Sequence, residues 1–306
     1  MNKPLVSICC ITYNHEQFIA QALDGFIMQQ TNFEFEIVIS DDCSTDNTRA
    51  VIEKYKNKYP HKFKDISPKR NLGMAKNFLY TLSNCTGEFI ALCEGDDYWT
   101  DSLKLQKQMD FLETHTDYTL CAHRCQEYHE HESQFKRMFD DIFIVSSPIE
   151  ITIHNFLQPY ILATHTIVFR NCIDLKQISY KGFKDIFLFA LLLDKGKGIC
   201  LPEFMGVYRI HEGGIWSTKE LIQLYKANAE TAYYLKKHFC SKYESITQFA
   251  WITISGYLEE LYSQKQSIWL IIKISYRIII LFPEQITLWH KKQMCKRILR
   301  YCVRKK

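Results

Sequence analysis

Glu94, Asp96 and Asp97 place three carboxylates within four residues, interrupted only by Gly95. Packed this closely they repel one another and resist burial. They follow directly on Phe89–Cys93, a short apolar run with the pattern of a buried strand. A strand that carries the chain out of a core into such a cluster delivers it to a site. Hard divalent cations take oxygen ligands, and Mg2+ is commonly held by one or two protein carboxylates together with substrate phosphates. The cluster reads as a metal–diphosphate site at the C-terminal end of a strand. An acidic surface turn is the competing reading.

The elements that would position this cluster follow the same plan. Leu5–Ile11 is an apolar strand ending in Thr12-Tyr13-Asn14. Asn14 with Gln17 three residues on has the spacing of a capping box. The helix expected next puts Phe18, Ile19, Ala22, Leu23, Phe26 and Ile27 on one face. Glu36–Ser40 is a further strand, ending in Asp41-Asp42-Cys43-Ser44-Thr45-Asp46, where Ser44 or Thr45 can cap the helix through Val51, Ile52 and Tyr55. Three strands thus end in polar clusters, and in open α/β sheets ligands bind at the carboxyl ends of strands. A fourth unit, Phe63–Ser67 and then a helix through Phe78, Leu79 and Leu82, completes a β-α-β-α-β-α-β reading of residues 4–100. Lys69, Arg70 and Lys76 at its turn could neutralise a diphosphate, or belong to a solvated loop.

Beyond this half, a helix over 101–115, a strand at Tyr118–Ala122, a polar loop over Gln126–Asp140, a strand at Thr164–Phe169 and a helix over Gly182–Leu193 are expected. Short strands at Ile199–Leu201 and Phe204–Ile210 lead to Gly213-Gly214-Ile215-Trp216-Ser217, a stretch suited to closing on a substrate. From Lys219 the pattern is helical.

In order and spacing, Val6-Ser7-Ile8, Thr12-Tyr13-Asn14, Ile39-Ser40-Asp41-Asp42-Cys43-Ser44-Thr45-Asp46 and Glu94-Gly95-Asp96-Asp97 resemble glycosyltransferase family 2. Asp185 and Val207-Tyr208-Arg209-Ile210-His211-Glu212-Gly213-Gly214 resemble its acceptor half. The similarity covers roughly residues 4–218. It implies an α/β, Rossmann-like GT-A fold: a mixed sheet flanked by helices, here with a C-terminal helical tail. The domains expected are 1–218, split into a nucleotide-binding half (1–100) and an acceptor half (101–218), and a basic tail (219–306). The resemblance also implies a nucleotide-sugar donor, a glycan or lipid-linked acceptor, Mg2+ or Mn2+, and inversion at the anomeric carbon.

By the same resemblance, Thr12, Tyr13 and Asn14 meet the base and ribose. Asp42 accepts from a uracil-like base edge, which suits an ionised carboxylate because it only accepts. Arg70 and Lys76 face the diphosphate. Asp96 contacts ribose or metal, Asp97 ligates the metal, and His211 adds a metal or phosphate contact. Arg209, two residues earlier on the same strand face, could reach phosphate or form a salt bridge. Asp185 takes the acceptor's proton. The family pattern has Asp where Glu94 stands, which leaves the role of Glu94 open.

Several classes are set aside. A sugar nucleotidyltransferase carries a Gly-rich loop after the first strand, but here the first glycine is Gly25. Neither a G-x-G-x-x-G nor a P-loop is present. An inactive carbohydrate- or nucleotide-binding scaffold remains an alternative, opposed by the carboxylates at Asp42, Asp97 and Asp185. Cys121-Ala122-His123-Arg124-Cys125 lacks a second pair at zinc-site spacing. Cys9, Cys10 and Cys93 lie in apolar strands, where a thiol acts as a small hydrophobe. With no signal peptide ahead of the first strand, a cytoplasmic setting is expected. The 306 residues suffice for a large core without staples, and the hydrophobic fraction of 47% is that of a globular chain.

Charge is uneven. The net charge is +4, yet residues 264–306 carry eleven Lys and Arg against one acid, Glu284. Ile268–Phe282 as a helix reaches ~22 Å, short of a ~30 Å hydrocarbon core, and contains Lys273 and Arg277, so no span is expected. Gln266, Lys273, Arg277 and Glu284 form one narrow polar stripe, which fits a helix packed on protein or lying in an interface. After Pro283, Met294, Cys295, Ile298, Leu299, Tyr301 and Cys302 oppose Lys292, Lys296, Arg297, Arg300 and Arg304. That basic amphipathic pattern suits an anionic membrane surface, with the enzyme peripheral on the inner face of the cell membrane. No nucleic-acid recognition motif accompanies the basic residues.

Overall fold

The computed structural model describes residues 4–137, 147–157, 162–214, 220–264 and 266–282. The chain divides into two compact units, Met1–Tyr180 with Leu188–Ser217, and Lys181–Phe187 with Thr218–Lys306.

The first unit is built on one mixed sheet. Strands β1 (Val6–Thr12), β2 (Phe35–Asp41), β3 (Phe63–Asp65) and β4 (Phe89–Leu92) are parallel, with β1 between β2 and β4. Helices α1 (Ile19–Ile27), α2 (Thr48–Lys58) and α3 (Met74–Asn84) connect them. Every residue of β1 and β4 is buried, the near-continuous apolar pattern of strands covered on both faces. Ile19, Ala22, Leu23 and Phe26 of α1 are fully buried against Ile8, Cys10, Ile37 and Trp99 in this core.

The helix after β1 begins later than the capping pattern suggests. Phe18 is its N-cap and makes no side-chain cap bond. Asn14 instead adopts φ 56°, a left-handed conformation that Asn tolerates better than most residues. Its side chain turns away to the next loop, where its Oδ1 accepts the Thr45 N–H (2.8 Å). Neither Ser44 nor Thr45 caps α2; Asp46 Oδ1 accepts the Thr48 N–H at 3.0 Å.

Strand β5 (Tyr98–Trp99) and α4 (Lys104–Thr114) follow the acidic turn. Residues 126–137 of the expected polar loop Gln126–Asp140 are largely strand: β6 runs Tyr118–His129 and pairs antiparallel with β7 (Gln134–Arg137). Polar alternation on a half-exposed hairpin resembles a loop when read without its partner strand. Strand β8 (Ile149–Ile151) pairs with β10 (Lys197–Ile210), and β9 (Val168–Arg170) pairs antiparallel with both β4 and β6. A 3-10 turn at Thr164–Thr166 occupies the start of the segment read as strand. The two short strands expected around Pro202 are one strand, β10, whose register against β6 shifts between Leu201 and Phe204. The sheet order is β3-β2-β1-β4-β9-β6-β10-β5. The thiols of Cys9, Cys10, Cys93 and Cys121 are buried and not joined in disulfides.

In the second unit, α6 (Leu221–Phe239), α7 (Glu244–Ser263) and α8 (Ile268–Leu281) share a core of Ala229, Ala232, Ala250, Ile254, Leu261, Ile271, Ile274 and Ile278. Helix α5 (Asp185–Leu193) opens within the segment Lys181–Phe187. The opposite face of α8 exposes Trp269, Ile272, Tyr276 and Ile280, the first by 77%. Its two faces are thus both apolar, which a single polar stripe on a helical wheel does not distinguish. Among the described residues no helix is long and apolar enough to cross a membrane. The basic segment after Pro283, and residues 215–217 of the Gly213–Ser217 stretch, lie outside the described residues.

Candidate active site

The loops after β1 and β2 are stitched together residue by residue. The Asn14 N–H donates to Ser44 Oγ (2.8 Å), the His15 N–H to Thr48 Oγ1 (2.8 Å), and the Glu16 N–H to Asp46 Oδ2 (3.0 Å). In return Asn47 donates from both its backbone N–H and its side chain to Glu16 Oε2. Asp46 is partly buried, which raises its carboxyl, but the hydrogen bonds from Thr48 and Glu16 outweigh this and hold it below the ordinary range.

The acidic turn lies against the end of β1. The Gly95 N–H donates to Ile11 O at 3.0 Å. A Cβ at Gly95 would stand 2.5 Å from Thr12 Oγ1, so this close approach requires glycine. Thr12 Oγ1 in turn lies 3.1 Å from His15 Nδ1. The other ring nitrogen, His15 Nε2, is 3.6 Å from Asp96 Oδ2, and His211 Nε2 is 3.3 Å from the same oxygen. Phe18 packs on the His211 ring with centroids 4.5 Å apart. Burial alone would raise Asp96; the hydrogen bond to His211 and the two imidazoles hold it below the carboxylate range instead. Burial lowers His15, against the pull of Asp96.

The two aspartates of the turn have parted roles. Asp97 is only 2% exposed. Its Oδ1 accepts the Arg209 N–H at 2.8 Å, and its Oδ2 lies 3.2 Å from His165 Nδ1. Burial first, and then the neighbouring charge of Asp96, push its carboxyl well above the usual range. Arg209 is committed as well. Its Nε donates to Asp96 O (2.8 Å), its guanidinium pairs with Glu130 and reaches Gln21, and it stacks near Phe18 and Tyr98. The phosphate contact considered for Arg209 gives way to this buried ion pair. Together Asp97 and Arg209 tie the acidic turn to β10 and so bring His211 to Asp96.

Asp42 is 4% exposed. Its carboxylate accepts the Leu72 N–H (2.7 Å) and the Gly73 N–H (2.9 Å), and Asn71 Nδ2 donates to its backbone carbonyl. This pins the loop that presents Arg70, which is exposed. Lys76 is exposed too, with Nζ 4.5 Å from the centre of the Tyr180 ring. Tyr13 is 43% exposed at the end of β1. Asp185 opens α5 and its Oδ1 accepts the Ile186 N–H at 2.7 Å, within the segment that groups with the second unit.

Among the described residues, two groups offer converging metal-ligand atoms, His15 with Asp96 and His211, and Glu94 with Asp96 and Asp97. Asp96 belongs to both groups, and Asp97 to the second. Mixed imidazole and carboxylate donors suit a divalent transition ion. A cleft of about 420 Å3 opens beside His211, lined by Asn14, Glu16, Phe18, Asp46, Glu130 and Glu212 among others. The sequence reading gave His15 no role; its only signal was a histidine immediately after the strand-end Thr12-Tyr13-Asn14.

Comparison with known proteins bears on the family and the fold. An uncharacterised protein of Mycobacterium tuberculosis is 38% identical over 220 residues, 69% of this chain and 60% of that relative's length. Poly(ribitol-phosphate) beta-N-acetylglucosaminyltransferase TarS of Staphylococcus aureus is 37% identical over 93 residues, 30% of this chain and 16% of its own. In structure, TarS 1–349 in complex with UDP-GlcNAc superposes with TM-score 0.61 at 19% identity, covering 97% of this chain and 80% of that one. The mannosyltransferase PcManGT of Pyrobaculum calidifontis, in complex with GDP-Man and Mn2+, gives 0.52 at 14% identity, covering 99% and 87%. These likenesses place the fold in the GT-A class. The model of glycosyl transferase family 2 matches residues 7–171, more than half of the sequence, and the chain belongs to that family.

Proposed function

We propose that this protein is an inverting glycosyltransferase that moves a sugar from a nucleoside-diphosphate donor to an acceptor hydroxyl in cell-surface glycan or glycolipid assembly. The observation that carries the reading is Asp96, just after β4, meeting His15 from the loop after β1 and His211 from the end of β10. Exposed Tyr13 offers a face for the base. The loop held by Asp42 flanks it, with the remaining lone pairs of that carboxylate available to a base N–H. Arg70 and Lys76 supply positive charge for the phosphates. Asp96 and His211 would hold a divalent cation, which when bound acts as a Lewis acid on the leaving diphosphate. The cleft beside His211 carries Glu16, Asp46, Glu130 and Glu212. Carboxylates repel a diphosphate but accept hydrogen bonds from sugar hydroxyls, so this side suits the sugar or the acceptor. Asp185 would accept the hydroxyl proton during attack, a role typically worth 10²–10⁴-fold. A panel of UDP-, GDP- and dTDP-sugars with Mn2+ or Mg2+, read as release of nucleoside diphosphate, tests the proposal. Turnover of one donor class supports it, and silence across the panel favours a binding scaffold.

A second reading concerns where the enzyme works. The exposed Trp269, Ile272, Tyr276 and Ile280 of α8 form one stripe beside exposed Lys273, and the sequence from 264 onward is strongly basic. An aromatic and aliphatic stripe next to cations suits an anionic lipid surface.

A further inference from the structure

The pairing of two imidazoles with Asp96 goes beyond a single carboxylate that shares its ion with substrate phosphates. His211 Nε2 and His15 Nε2 stand 3.3 and 3.6 Å from Asp96 Oδ2, and the three ligand atoms lie within 4.8 Å of one another. The longer gap exceeds hydrogen-bond length, so a direct bond to Asp96 does not explain the position of His15. An ion with bonds of about 2.1 Å sets neighbouring ligands about 3 Å apart and opposite ligands about 4.2 Å apart, which brackets the observed spacing. The rings are also held from behind. Thr12 Oγ1 meets His15 Nδ1 at 3.1 Å, leaving Nε2 to face the cluster when that hydrogen bond is donated by Nδ1. Phe18 packs on His211, and Arg209 fixes the strand that carries it. Such outer contacts fix ring orientation and tune metal affinity.

We propose that His15, Asp96 and His211 form a two-histidine, one-carboxylate site that takes a transition divalent cation before any nucleotide binds, with His15 setting a preference for Mn2+ or Co2+ over Mg2+. Imidazole nitrogen favours the later first-row ions, whereas Mg2+ favours oxygen and keeps its waters. The inference rests on the glycosyltransferase reading for its purpose, but not for its test. Loading the cation first gives an arriving diphosphate a fixed charge to bind.

The test uses the full chain with MnCl2, CoCl2 or MgCl2 alone. Free Mn2+ is counted by electron paramagnetic resonance, Co2+ by its visible absorption and Mg2+ by calorimetry. One Mn2+ or Co2+ per chain is expected without nucleotide, with Mg2+ at least about tenfold weaker. His15→Gln is expected to weaken Mn2+ and Co2+ by at least about tenfold and to narrow the gap to Mg2+. Should that variant fail to fold, pulsed resonance on the wild-type Mn2+ complex decides, since two imidazole ligands give nitrogen couplings. No stoichiometric binding without nucleotide, unchanged binding in folded His15→Gln, or a Mn2+ signal without nitrogen coupling would overturn the proposal. Donor turnover measured on the same preparation keeps the two readings apart: turnover without nucleotide-free metal binding sinks only the site proposed here.

Discussion

Lys104 opens α4 beneath the acidic turn and is fully buried, with its Nζ 3.8 Å from the centre of the Trp99 ring. Among the described residues that Nζ has no hydrogen-bond partner. Burial lowers its pKa from 10.5 to about 7. A displacement of about 3.5 units at about 1.36 kcal/mol each costs about 5 kcal/mol when the amine is charged. Lys104→Met keeps the stem and removes the charge. The sign follows from proton counting: between pH 7 and 10.5 the unfolded chain binds this proton and the folded chain does not, so the contribution of Lys104 to stability rises with pH. The penalty is complete below pH 7 and vanishes above 10.5. Lys104→Met should therefore be more stable than wild type by up to about 5 kcal/mol at pH 6, with the gain shrinking from pH 7 towards pH 10. Urea unfolding followed by tryptophan fluorescence at pH 6, 8 and 9.5 measures it. A gain that does not change with pH, or a loss at pH 6, would refute the assignment of a buried, unpartnered amine.

Asp185→Asn keeps the shape of α5's first turn but cannot accept a proton, so the transfer rate should fall about 10²–10⁴-fold with donor affinity little changed; a collapse in donor affinity at near-normal rate would make it a binding residue. Replacing Trp269 and Tyr276 by Ser should reduce pelleting with vesicles rich in anionic lipid while leaving donor hydrolysis intact. Equal pelleting of both proteins at low salt would count against the α8 surface.

The parallel half of the sheet was legible because its central strands β1 and β4 are buried on both faces and end in sharp changes of polarity, as at Cys93–Asp97. The division of labour between Asp96 and Asp97 was not legible. Adjacent aspartates look alike until Arg209, 112 residues later, donates its backbone N–H to one of them. His15 was hidden for the same reason, since its companion His211 arrives from β10. Asn14 looked like a helix cap because the local spacing fits one; the loop after β2 competes for the same side chain and takes it. Lys104 stood in a helix whose inner face was read as Leu105, Met109 and Leu112, and a lysine one position earlier gives no sign in sequence of being fully buried. The β6–β7 hairpin was missed because its residues are polar and only the pairing reveals it.

The central proposal is that Asp96, faced by His15 and His211, contributes more to donor chemistry at the strand ends than Asp97, whose Oδ1 accepts the Arg209 N–H. It is tested most directly by release of nucleoside diphosphate from the active donor, with Mn2+ present, compared across wild type, Asp96→Asn and Asp97→Asn. In Asp97→Asn the Oδ1 atom still accepts the Arg209 N–H, so a folded enzyme with much of its turnover is expected. Asp96→Asn should fold and lose turnover by at least about a hundredfold. Equal loss in both variants, or full turnover in Asp96→Asn, would contradict the account.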